Sequence, residues 1–115
     1  MPRRFDEQEL LDRVDNDREF LGETVQMLSA DGPALLRGIR LATQQGDAPA
    51  VARDAHALKG MLSNFCSPAA HAGAAELERM GKAGDLAPAP NALDKLEADL
   101  DALIADLTDF LATGA

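Results

Sequence analysis

Residues 51–66, VARDAHALKGMLSNFC, read as one amphipathic helix with a histidine off its apolar side. Val51, Ala55, Leu58, Leu62 and Phe65 follow at steps of four, three, four and three, the spacing that aligns one buried stripe on an α-helix. A turn of about 100° per residue carries His56 roughly 140° from the middle of that stripe, towards solvent. Ala52, Lys59, Gly60 and Ser63 share its face, so the imidazole is expected to stand among small side chains and one cation.

Working outward, the chain repeats this helical grammar. Asp6 is a helix N-cap with Glu9 reaching back and Phe5 stapled against Leu10, opening a short helix over about residues 7–14. Asp15, Asn16 and Asp17 supply capping chemistry for a second helix from about Arg18, with Leu21, Val25 and Leu28 inward. Asp31, Gly32 and Pro33 interrupt it, and the pattern resumes at Leu35, Leu36, Ile39 and Ala42. Pro33 removes one N–H, so either one kinked rod or two helices is expected.

Gly46 and Asp47 are a stop followed by a start, which gives the histidine helix a span of about residues 48–65. Ser67 as N-cap and Pro68 at the first helical position open a helix to about Lys82. Its inner face, Ala70, Gly73, Ala74, Leu77 and Met80, is small enough for close approach, at some cost in packing. Gly81, Gly84, Pro88 and Pro90 mark the longest link. Beyond it Leu93, Leu96, Leu100, Leu103, Leu107 and Phe110 line a long acidic helix. The expected fold is all-α: one domain over residues 1–115, an antiparallel four-helix bundle with a short additional N-terminal helix.

Composition narrows the function. Apolar residues make up 46% of the 115 but aromatics only 3%, which suits packed helices better than a β-sandwich. Twenty acidic residues against 11 basic ones leave a formal charge of −9, which argues against nucleic-acid binding and against a basic membrane-surface helix. No apolar run approaches the roughly 18 residues of a spanning helix, and no signal-peptide core follows Met1, so a cytoplasmic protein is expected. Met1 favours a free-standing protein over a module excised from a larger one. Glycine-rich phosphate loops and the common hydrolase and zinc motifs are missing. His56 and the sole cysteine, Cys66, are ten residues apart on one helix, roughly 15 Å, so no shared metal site is expected. Cys66 reads as a small apolar plug at a helix end, and His71 as a surface residue. Lys59 can offset negative charge brought to His56, and Gly60 removes a side chain that would block an incoming group. With Arg53, Asp54 and Lys59 its only charges, this helix is locally +1 and suits an anionic reactant or acidic partner.

The run AHALKGMLSNF resembles the signature of histidine-containing phosphotransfer (HPt) domains, and FDEQELLDRV, DREFL, PALLRGIRLATQQGD and LERMGKAGDL are similar to the flanking segments of that family. The resemblance implies a phosphoryl carrier with no nucleotide site, cofactor or metal of its own. His56 would be the phosphorylated nucleophile, Lys59 the charge stabiliser and Gly60 the clearance residue, with Ala52, Arg53, Ser63 and Asn64 on a docking face formed with the neighbouring helix. The implied partners are response-regulator receiver domains, which would bring Mg²⁺, and a hybrid sensor histidine kinase. The competing reading is a docking or sequestering module that binds through the same face without transfer. Cys66 stands where the family usually has glycine, as does Ser63, and Gly73 where leucine is frequent.

Overall fold

The computed structural model describes residues 5–113. Five α-helices follow in order: α1 Glu7–Arg13, α2 Arg18–Gln44, α3 Ala48–Leu62, α4 Pro68–Ala83 and α5 Ala89–Thr113, with a 3₁₀ turn, Ser63–Phe65, closing α3. The starts are local chemistry. Asp6, Asp17 and Asp47 each accept a hydrogen bond from the backbone N–H three residues on, satisfying a donor that the first helical turn leaves orphaned.

Around the bundle α2 packs on α3, α3 on α4, α4 on α5 and α5 back on α2, which leaves α2 and α4 on one diagonal; α1 packs on the 3₁₀ turn. The inward stripes supply the core: Leu21, Leu28 and Ile39 from α2, Leu58 and Leu62 from α3, Leu77 from α4 and the α5 row from Leu93 to Phe110 are all buried. Each such leucine contributes about 2 kcal/mol by leaving water. No strand occurs among the described residues.

Packing decides what the local rules leave open and shifts some element ends. Pro33 lies inside α2, which is one continuous helix. Gly32 faces Leu28 and Leu100, and Leu36 is buried one turn on, so core contacts on both sides of Pro33 hold the rod across one missing hydrogen bond. Glu9 pairs with Arg13 at 3.7 Å, and Phe5 meets Phe110 edge-on with centroids 5.6 Å apart. Phe65 belongs to the 3₁₀ turn, and Ser67 occupies the N-cap position of α4 without a side-chain capping bond. Gly81 belongs to α4, so the link to α5 is only residues 84–88.

Gly81 sets how closely the third and fourth helices pack. A Cβ there would lie 2.5 Å from the Ala52 nitrogen and 2.9 Å from the Ala48 carbonyl oxygen, so α3 and α4 approach nearly backbone to backbone. The small inner face of α4 predicts a close approach, but at other positions. The contact at Gly81 brings Glu78, one turn earlier on α4, up against α3.

Candidate functional site

Two turns into α3 from its Asp47 cap, His56 projects with its side chain 70% exposed, as its helical phase requires. Its Nδ1 lies 3.0 Å from Oε2 of Glu78, one turn before Gly81 on α4. Glu78 is the centre of the arrangement. Its side chain is only 6% exposed, and Lys59 Nζ lies 2.6 Å from Oε1 while Lys82 Nζ lies 2.9 Å from Oε2. The two ammonium groups, Lys59 first, hold its carboxyl down at about 2 against the opposing effect of burial, and the contact with His56 acts in the same direction.

A carboxylate can only accept, so Nδ1 carries the proton and donates it to Glu78. In the neutral ring the lone pair then lies on Nε2, across the imidazole from Glu78. Glu78 therefore presents one chosen nitrogen to the outside. Two lysines against one carboxylate leave a surplus positive charge beside the ring, which suits an incoming anion.

The structure sorts the residues expected from sequence. Lys59 is beside the site but paired to Glu78, so it is a tethered cation rather than a free neighbour of the ring. Gly60 is exposed, and an added Cβ would meet nothing within 4 Å, which leaves the surface next to the ring open. Arg53 is exposed and pairs with Asp54 at 3.1 Å. Ala52 is half-buried with its backbone against Gly81, so it supports the α3–α4 contact more than it presents a surface. Ser63 and Asn64 are exposed on the 3₁₀ turn, with Ser63 Oγ donating to the Gly60 carbonyl at 2.6 Å.

His71 does not join His56; it lines a shallow pocket with Cys66, Glu9 and Arg13 at the α1 end. Cys66 is half-buried, and burial pushes its thiol up, with the Glu9 carboxylate adding to it. Its φ is 53°, the left-handed region that favours glycine, which accounts for cysteine looking out of place there. Among the described residues no cluster of three or more His, Cys, Asp or Glu could hold a metal ion, and no helix is long and apolar enough to cross a membrane.

Sequence reasoning missed Glu78 and Lys82. A signal was present: Ala70, Ala74 and Glu78 step by four into Gly81, so a carboxylate stands on the α3-facing edge of α4 with a lysine one turn further on.

The comparisons with known proteins bear on the family and the fold. The family model described as Hpt domain matches residues 23–106, most of the chain. The fold is similar to the crystal structure of histidine-containing phosphotransfer protein B (HptB) from Pseudomonas aeruginosa PAO1, with a TM-score of 0.87 and 23% identity over 95% of each chain. No curated protein matches the sequence. An all-helical bundle of that shape, a histidine held by the next helix and a family match over most of the length lead to one conclusion: this chain belongs to the Hpt family of histidine phosphotransfer modules.

Proposed function

We propose that His56 takes a phosphoryl group from the aspartyl phosphate of one receiver domain and passes it to the aspartate of another, in the cytoplasm. The observation that carries this reading is the hydrogen bond from His56 Nδ1 to the buried Glu78 carboxylate beneath an exposed ring.

In the forward step Nε2 forms the new N–P bond, the acyl-phosphate P–O bond breaks, and the donor aspartate leaves as a carboxylate. The Nδ1 proton stays where it is, and the ring acquires positive charge that Glu78 opposes from 3.0 Å. Lys59 and Lys82 offset the negative charge of the arriving group, and Gly60 leaves the approach clear. Return of the group to a second aspartate runs the same bonds backwards. The receiver supplies the Mg²⁺ and the acidic pocket; this chain supplies the nucleophile and its electrostatic support. A receiver belonging to a hybrid sensor histidine kinase fits the donor role.

The test is incubation with a phosphorylated receiver carrying radiolabel. Acid-labile label should appear on the wild-type chain and be absent from a folded His56→Gln variant. Acid-labile label retained by that variant overturns the assignment.

A further inference from the structure

We propose that the pocket at the N-terminal end of α4 binds a small oxyanion of the phosphate class, gripped by the Ser67 hydroxyl, the first free N–H groups of α4 and the Arg13 guanidinium. The pocket lies between α1, the 3₁₀ turn and α4, and Glu9, Arg13, Cys66, Ser67 and His71 line it. Ser67 is the residue that asks for a ligand. It is 4% exposed, and its hydroxyl has no hydrogen-bond partner among the described residues. The hydroxyl is nevertheless not sealed off, so the opening it keeps is the one onto the pocket. A buried hydroxyl is normally satisfied, and here the pocket is where its partner must sit.

The start of the helix adds donors. The Ser67 backbone has the extended conformation of an N-cap, φ −113° and ψ 94°, yet its side chain takes no N–H of the first turn. Pro68, at the first helical position, has none to give, so the donors left without a side-chain acceptor are those of Ala69 and Ala70. N–H groups at the start of a 16-residue helix, with its dipole behind them, favour an anion, and the Ser67 hydroxyl can donate to the same guest.

Charge around the pocket sets the size and class of that guest. Arg13 supplies a cation, and its tie to Glu9 is loose, at 3.7 Å with the two side chains 50% and 56% exposed. Burial keeps the proton on the Cys66 thiol, so Cys66 adds no negative charge. Glu9 is the one carboxylate in the lining and opposes an anion, which must therefore win Arg13 from it. At −9 the chain repels a polyanion such as a nucleic acid, and a small, multiply charged oxyanion fits instead. The histidine site hangs on Glu78 and Lys82 near the other end of α4, so this pocket is additional to it.

The test is a titration of the full chain with sodium phosphate at neutral pH, ionic strength held constant with sodium chloride, followed by the backbone amide resonances. Those of Ala69 and Ala70 should move saturably, with a Kd of about 1–10 mM. Arg13→Gln should weaken binding by roughly tenfold, and Glu9→Gln should tighten it by roughly threefold. Ser67→Asp sets a fixed carboxylate on the same N–H groups, so it should abolish binding while raising the thermal midpoint, which separates loss of the site from loss of the fold. Acetate should bind more weakly than phosphate. Shifts that rise linearly without saturating, or that centre on His56 and Lys82 instead, overturn the proposal. So does phosphate affinity left unchanged by Arg13→Gln and Ser67→Asp, and acetate binding as tightly as phosphate overturns the phosphate class.

Discussion

Glu78 accepts a hydrogen bond from His56 across 3.0 Å although the two stand 22 positions apart on different helices, and the same carboxylate holds Lys59 and Lys82. A single buried group thus sets the ring's tautomer, is placed to oppose positive charge on the ring, and parks two cations next to it. Replacing it separates these effects.

Glu78→Gln keeps an acceptor for Nδ1 but removes the charge, so transfer to His56 should slow by about tenfold, the effect of roughly one pKa unit of lost charge interaction. Glu78→Leu removes the acceptor too, should slow transfer further, and should release the ring to its other tautomer, read from the imidazole nitrogen chemical shifts. Equal transfer rates in all three proteins would show that Glu78 is only a packing residue.

The depressed Glu78 carboxyl makes acid stability depend on this site. Its folded value of about 2 lies below the ordinary 4.5, so its contribution is fully present above about 4.5 and is lost as pH falls towards 2. Urea unfolding measured from pH 5 down to pH 2 should show a steep loss in the wild type and a shallower one in Glu78→Gln. Parallel curves would contradict the pairing.

Two glycines should respond with opposite signs to the same change. At Gly81 a methyl group would meet the Ala52 backbone at 2.5 Å, so Gly81→Ala must push α3 from α4 and should cost about 2 kcal/mol, despite the gain in helix propensity. At Gly60 a Cβ meets nothing within 4 Å, so Gly60→Ala should stabilise by about 0.5–1 kcal/mol and leave transfer near wild type. Gly60→Gln should fold as well but impede the receiver. Denaturant midpoints and transfer rates together read all three.

Cys66 is held at a φ of 53°. Glycine adopts that conformation without a Cβ penalty, so Cys66→Gly should raise stability by about 0.5 kcal/mol once the added freedom of the unfolded chain is subtracted. Cys66→Val puts a β-branched side chain into the same region and should lower it by about 1 kcal/mol. Thermal unfolding of the pair, with phosphotransfer unchanged in both, checks that this residue bears on the turn rather than on the chemistry.

The helices, their caps and the exposure of His56 were legible in the sequence because they depend on neighbours three and four positions away. Asp6, Asp17 and Asp47 cap where the pattern places them, and Val51, Ala55, Leu58 and Leu62 are buried on the face opposite the histidine side. Such rules fail where a distant contact competes. Local rules leave Pro33 open between one rod and two helices, and the rod continues because Gly32 and Leu36 are locked into the core around it.

By itself, then, the sequence determined an all-helical chain, the stripe each helix buries, and an exposed histidine on a bare face beside Lys59 and Gly60. Only the tertiary structure decided that Lys59 is tied to Glu78, that Lys82 belongs to the same cluster, and that Nδ1 is the nitrogen held from below. The reason is the α3–α4 register, set where the Gly81 backbone meets Ala48 and Ala52. That fit joins residues about thirty positions apart, and no periodicity along one helix encodes it.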